Sequence, residues 1–502
     1  MSCVIGLDIG TTSTIGILVK LPETILGIVS RPVTLTSRNP GWAEEDPTQW
    51  WQNSCAIIRE LIAGSGIAPS EIAGIGVTGM LPAVVLLDAH GELLRPSIQQ
   101  SDGRCAVEVE ELRAEINEAA FVKRAGNGVN QQLVASKLRW IEKHEPDIFR
   151  RIATVFGSYD YINWRLTGER RIEQNWALEA GFVDLAKGEL AADLIAYTHL
   201  PARVIPPKAA SHQIIGHVSA AAAAETGLPA GLPVVGGAAD LIASALAAGV
   251  VSDGQVLLKF GGSVDILVAT AKVAPDPRMF LDYHLVPGLY MPNGCMSTGG
   301  SGLNWLAANF AGGQQVAADA AGLRLHQYLD RLAGAIPAGA DGITIVPYFL
   351  GEKTPIHDPL ARGTITGLSL SHTIGHLWRA LLEAYAYAIA HHMEVLRDMG
   401  HTPLHYLASD GGAGSRVWMQ IVADVLQAPV QLLQGHPGSC LGAAWTAAIG
   451  TGLTHDWFGT DRFVQKGDLI QPNPAHADIY REGYRTFEQV YLNLKPLQRP
   501  VP

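Results

Sequence analysis

The sequence predicts an α/β protein of two or three domains, on three observations. The chain has 502 residues, more than one hydrophobic core ordinarily organises. Apolar runs of strand length alternate with helical patterns through its first half. A strand, a turn of glycine and hydroxyl residues, and a second strand occur twice: VIGLDIGTTSTIGILV, Val4 to Val19, and VLLKFGGSVDILV, Val256 to Val268.

The elements follow in order. The first hairpin places Asp8 inside its first strand, just before the Gly10-Thr11-Thr12-Ser13 turn. PTQWWQNSCAIIRELIAGSG predicts a helix starting at Pro47 and stopping at Gly64. IAGIGVTGM reads as a strand, and PAVVLLDAHGELL as a hairpin turning at Asp-Ala-His-Gly. A more helical region runs from about Val107 to Leu200. Leu232 to Val251, LPVVGGAADLIASALAAGVV, mimics a membrane span, but a central Asp240 would cost roughly 2.5–3.5 kcal/mol there. Pro233 and the Gly236-Gly237 pair break it early, so it reads as a short strand, a loop and a buried small-residue helix. The second hairpin opens the C-terminal half. DGITIVPYFLG, the long helix IGHLWRALLEAYAYAIAHHMEVLRDMG, the strand-turn-helix LHYLASDGGAGSRVWMQIVADVLQ and a terminal helix near Tyr480 to Leu494 complete it.

Composition narrows the function. Hydrophobic residues make up 48% and charged residues 17%, an ordinary globular balance. A net charge of −11 disfavours nucleic acid and anionic membranes as partners. Cys3, Cys55, Cys105, Cys295 and Cys440 are scattered without a CxxC pair, which fits a reducing cytoplasm and neither disulfides nor zinc. The N-terminus lacks the basic and apolar regions of a signal peptide.

In the two hairpins Asp8 corresponds to Lys259. Face to face, two such turns would offer N–H groups and hydroxyls to one anion from both sides; two unrelated tight hairpins are the competing reading. GIGVTG, Gly74 to Gly79, satisfies GxGxxG, but Met80-Leu81-Pro82 and more β-rich sequence follow where a dinucleotide site needs a helix. No GxxxxGK[ST] occurs. HTIGH, His372 to His376, lacks the glutamate of a zinc site, and His391 and His392 cannot share one helix face. GGSGLNW and GGAGSRVW set small residues just before helices, where free N–H groups attract anions, or where Ser301 and Ser415 act as caps.

GLDIGTTS, WAEEDPTQWW, SDGR, GGAADLIASALAAG, LKFGGS, YFLGEKTPIHDPLARGTITGL and LASDGGAGS together resemble the FGGY carbohydrate kinases of the actin-like (RNase H-like) ATPase superfamily. The likeness runs from about Val4 to Ile449 and is greatest to the xylulose kinases. It implies two actin-like α/β domains around a central cleft, residues 1–245 and 246–502, and phosphorylation of a primary sugar hydroxyl by ATP and Mg²⁺. Asp8 would orient Mg²⁺ through water, with Gly10, Thr11, Thr12 and Ser13 facing the phosphates. Gly261, Gly262 and Ser263 would form a second phosphate loop. Many relatives carry Thr at the position of Gly262. Gly300, Gly411, Gly412 and Ser415 would line the adenosine pocket. Asp240 carries over as the catalytic base; from the residues alone it could instead cap the helix that follows. Its apolar neighbours would raise its basicity.

Met80, Leu81, Gln100, Asp102 and Arg104 would approach the sugar. Xylulose kinases usually show His after the Met and Trp-Asn-Asp before Gly-Arg; here stand Leu81 and Gln100-Ser101-Asp102. A ketopentose is the expected acceptor, with another sugar, a sugar acid or a polyol as alternatives. An actin-like ATPase switch without a sugar is the rival class. A homodimer is one assembly compatible with the sequence.

Overall fold

The computed structural model describes residues 2–498; Met1 and the last four residues, at the outer ends of the two expected domain ranges, lie outside them. The chain forms two compact α/β units. One comprises Met1–Val251, Pro275–Met291 and Pro437–Phe463, the other Ser252–Ala274, Pro292–His436 and Val464–Pro502. The units interleave along the chain more than a single boundary near residue 245 expresses.

In the first unit, β1 (Cys3–Ile9), β2 (Ser13–Lys20) and β3 (Thr24–Pro32) form an antiparallel meander. Helix α1 (Pro47–Ser65) returns the chain to β4 (Ile72–Gly79), parallel to β1. Asp46 caps α1 by accepting from Thr48 N–H, and Pro47 opens it without needing a donor. The helix passes through the expected stop at Gly64 and ends at Gly66, whose φ of 70° is the left-handed conformation that glycine tolerates. Helix α2 (Val134–His144) follows within the helical region. Then β5 (Ile214–His217) pairs antiparallel with β6 (Pro233–Val235), and β6 lies parallel to β4. Ala238–Ala239 also pairs parallel with β4 and leads into α3 (Asp240–Ala247). The 232–251 stretch is thus strand, loop and short buried helix. Among the described residues no helix is long and apolar enough to cross a membrane.

The second unit repeats this arrangement across its sheet. β7 (Gln255–Phe260), β8 (Val264–Val268) and β9 (Tyr290–Met296) form the meander. Helix α4 (Gly300–Phe310) follows, and the long α5 (Ile374–Asp398) precedes β10 (His405–Ser409), parallel to β7. After α6 (Arg416–Leu426) comes β11 (Val430–Gly435), parallel to β10. The edge strand β12 (Gln465–Ile470) is antiparallel to β11. Across the sheet each unit therefore runs meander, parallel strand, parallel strand, antiparallel edge, although in the chain the edge strand β5 precedes its neighbour β6 while β12 follows β11. This shared topology, far longer than the matching sequence, favours duplication over two unrelated hairpins.

Helix α7 (Ser439–Gly450) belongs to the first unit and lies on β1 and β4. The approach is close enough to require glycine on the strands. A Cβ on Gly6 would stand 1.9 Å from the Cys440 carbonyl oxygen, and one on Gly76 2.3 Å from that of Ala443. On the helix itself, a Cβ on Gly442 would stand 2.1 Å from the Ala243 carbonyl of α3. Final helix α8 (Ala477–Leu494) begins three residues before the expected start.

Candidate functional site

Three parallel segments of the first unit end at one sheet edge. Asp8 of β1 is in register with Thr78 of β4, and Thr78 with Ala238. Neighbouring strands lie about 4.8 Å apart, so Asp8, the Met80 turn and the start of α3 fall within roughly 10 Å across the sheet. Ligands of α/β sheets bind beyond such carboxyl ends. GIGVTG at Gly74–Gly79, set aside as a dinucleotide fingerprint, is strand to its end, and the Met80-Leu81-Pro82 turn follows it rather than a helix.

The β1–β2 turn closes with Gly10 N–H donating to the Ser13 carbonyl at 3.0 Å. Thr12 is exposed, and Thr11 Oγ1 reaches Met80 Sδ at 3.5 Å. Met80 N–H donates to the Ile9 carbonyl, so the hairpin and the Met80-Leu81 turn are joined directly. Both Met80 and Leu81 are buried. Asp8 is largely buried, and its Oδ2 accepts the Ser439 hydroxyl at 2.5 Å. Ser439 opens α7 and was missed from sequence; nothing local links it to a residue 431 positions earlier.

Asp240 is the first residue of α3 and Ala239 its cap, so the helix-cap reading of Asp240 does not hold. Its Oδ1 accepts from Leu241 N–H at 2.7 Å. Ala238 and Ala239 are fully buried, yet Asp240 itself is half-buried. The desolvation expected from its apolar neighbours is therefore only partial.

Asp102 and Arg104 are enclosed. Asp102 Oδ2 accepts from Ala43 N–H at 2.6 Å and from Arg104 Nη2 at 2.7 Å; Oδ1 accepts from Arg104 N–H and Nε. Arg104 Nη1 donates to Glu44 Oε1 at 2.8 Å, and Arg95 also pairs with Glu44. The Arg104 guanidinium lies 3.9 Å from the ring centre of Trp42 and 4.9 Å from that of Trp140. Both side chains of the Asp102–Arg104 pair are 0% exposed. A direct bond from either to a sugar would require one of these partners to let go. Gln100, by contrast, is half-buried, and its Oε1 accepts from Gln132 Nε2 at 3.3 Å. Glu44, Trp42 and Gln132 thus contact the expected residues Arg104 and Gln100. WAEEDP had been singled out, but no local pattern shows which of its residues face Arg104.

In the second unit the Gly261-Gly262-Ser263 turn abuts the start of α4. Gly300 N–H donates to the Gly261 carbonyl at 2.9 Å and Ser301 N–H to that of Gly262 at 3.0 Å. These first-turn donors, expected to be open to an anion, are already bonded to the neighbouring loop. The Ser301 hydroxyl also donates to Gly262 rather than capping α4. A side chain on Gly300 would strike Gly261, whereas one on Gly262 would meet open space. Ser415 does cap α6, accepting from Trp418 N–H. Gly412 has no room for a Cβ between Trp418 and Phe260, and Gly411 borders open space. The histidines set aside from sequence stay outside this loop cluster. His376 caps the start of α5, and buried His392 bonds the Ala388 carbonyl and Thr354.

Residues 3–247 match the N-terminal domain of the FGGY family of carbohydrate kinases, and residues 262–451 match its C-terminal domain. The chain is similar to the xylulose kinase of Rhodospirillum rubrum, with 59% identity and a TM-score of 0.93 over 99% of each chain. It is 29% identical to the xylulose kinase of Staphylococcus epidermidis over 98% of this chain and 97% of that one. The same identity relates it to the Escherichia coli xylulose kinase, over 98% and 99% of the two chains.

Proposed function

The chain belongs to the FGGY family of carbohydrate kinases, and on that premise we propose that it transfers the terminal phosphoryl group of ATP to a primary hydroxyl of xylulose. The single observation that carries the choice of sugar is 59% identity to a xylulose kinase across 99% of each chain. Leu81 and Gln100, where xylulose kinases usually carry His and Trp, keep a neighbouring ketose, sugar acid or polyol as the second reading.

Phosphoryl transfer asks chiefly for positioning, charge neutralisation and a group to take the hydroxyl proton. Asp240 takes that proton. Its half-buried place at the carboxyl end of a parallel segment supports this role. Met80, Leu81 and Gln100 orient the sugar, while Asp102 and Arg104 fix the loop that carries Gln100. Gly10, Thr11, Thr12 and Ser13 face phosphate in the first unit. Gly261, Gly262 and Ser263 do so in the second, with Gly300, Gly411, Gly412 and Ser415 beside the adenosine.

Among the described residues no group of three or more His, Cys, Asp or Glu could cage a cation. One buried carboxylate beneath a hydroxyl-rich turn suits Mg²⁺ that arrives on nucleotide phosphates and keeps its waters. Asp8, oriented by Ser439, would hold it through such a water. When bound, Mg²⁺ supplies neutralisation of phosphate charge. All five cysteines are free, which supports a reducing, cytoplasmic setting.

The test is coupled detection of ADP across ketopentoses, sugar acids and polyols. Xylulose is expected to give the highest kcat/KM. ADP formation that no sugar accelerates would overturn the kinase reading, and a higher kcat/KM for another acceptor would overturn xylulose.

A further inference from the structure

Helix α2 turns a lysine into the protein interior. Val134, Leu138 and Ile141 form its apolar stripe, and Lys137 falls within that stripe. Its side chain is 0% exposed. Buried ammonium groups ordinarily sit in ion pairs, because losing hydration is costly. Among the described residues Lys137 has no carboxylate at salt-bridge distance; its acceptor is the Pro82 carbonyl at 3.4 Å. The charged and titratable groups facing it are Cys105, Asp102, Glu179 and Arg104. Asp102 and Arg104 neutralise one another, and the Cys105 thiol, in contact with Ser136, is pushed up by burial.

Helix α2 thus meets both segments assigned to the sugar: Lys137 reaches the Pro82 carbonyl of the turn Met80-Leu81-Pro82, and the hydroxyl of its neighbour Ser136 lies 3.2 Å from Sγ of Cys105, at the end of the loop running from Gln100. A methionine would fill similar space without desolvating a charge. Retaining the charge has a use if the ammonium must hold the Pro82 carbonyl. We propose that Lys137 is a positioning residue for the acceptor sugar, tethering the Met80–Pro82 turn against the Asp102–Cys105 loop so that the sugar hydroxyl is held for transfer. This rests on the sugar-kinase reading above. Burial lowers the Lys137 ammonium to about 8, so its charge is lost within the ordinary assay range. As pH rises through that value the tether weakens, and sugar binding weakens with it.

The experiment is steady-state kinetics of wild type, Lys137→Met and Lys137→Gln from about pH 6.5 to 9.5, varying xylulose and ATP separately. Folding is checked by circular dichroism and thermal melting. Both variants are expected to raise the sugar KM about 3–10-fold, the loss expected for one hydrogen bond at the long distance of 3.4 Å. The ATP KM should stay within about twofold, since Lys137 touches no nucleotide loop. The wild-type kcat/KM for sugar should fall above about pH 8, and that limb should be missing from the variants. A folded variant with wild-type sugar KM overturns the proposal, as does one whose loss is equal toward sugar and ATP. If neither variant folds, the wild-type profile decides: a sugar kcat/KM flat to pH 9.5 overturns it. A wild type that phosphorylates no sugar fails at the earlier step and overturns the kinase reading itself.

Discussion

Replacing Arg104 with methionine removes a guanidinium that the fold encloses. Three ionic hydrogen bonds are lost: Nε and Nη2 to Asp102 at 2.8 and 2.7 Å, and Nη1 to Glu44 at 2.8 Å. Asp102 and Glu44 remain, 0% and 4% exposed. Removing one partner of a buried ion pair costs about 3–5 kcal/mol. The cation–aromatic contacts with Trp42 and Trp140 are also lost, a further ~0.5–2 kcal/mol. Against this, Ala43 N–H still reaches Asp102, Arg95 still reaches Glu44, and the methionine stem keeps part of the contact with the rings. About 3–5 kcal/mol is therefore the expected net loss. The first unit, of about 300 residues, unfolds with an entropy near 0.6 kcal/mol/K at ~2.1 cal/mol/K per residue. The expected fall in Tm is about 5–8 °C. Differential scanning calorimetry at low and high salt reads it, and salt should change the difference little because the pair is shielded from solvent. An unchanged Tm together with a raised sugar KM would refute the reasoning and make Arg104 a ligand contact.

The other expected outcomes are as follows. Asp240→Asn should fold normally, keep nucleotide affinity and lose about 10²–10⁴-fold in kcat; single-turnover kinetics retaining more than about half the wild-type rate would remove Asp240 as the base. Gly262→Thr meets open space and supplies a hydroxyl, so it should lower the ATP KM without lowering Tm; a clear loss of stability would show that the turn is closed to side chains. Glu45 is buried, and desolvation raises its carboxyl to about 7. Its folded form holds a proton more tightly than the unfolded chain, so stability is full below about pH 4.5 and declines as pH rises toward 7. Glu45→Gln should therefore raise Tm at about pH 8 and leave it nearly unchanged at about pH 5; equal effects at both would show that Glu45 does not titrate in this interval.

Short-range features were legible because their causes are local. Both hairpins, the passage from Gly236-Gly237 into α3, and the helix opened by Pro47 follow from strand patterning, turn residues and capping within a few positions. Misjudged features depend on partners far along the chain. Gly64 looks like a stop, but the left-handed residue is Gly66. The start of α4 looks open to an anion until the Gly261 and Gly262 carbonyls come beside it. SDGR alone does not show that Ala43, Glu44, Trp42 and Trp140 gather around Asp102 and Arg104.

Helix α7 also sets the order of events while the protein is being made. Residues 1–251 leave the ribosome well before Pro437–Phe463, the segment that completes the same unit. At about 5–20 residues per second, synthesis of the intervening ~190 residues takes roughly 10–40 s. During that interval the strand face holding Gly6 and Gly76 has no helix over it, and Asp8 has no Ser439. A nascent chain halted in this window would expose apolar β-sheet, the kind of surface that holding chaperones and proteases engage. The early half of the enzyme is thus left uncovered on this face until its late helix arrives.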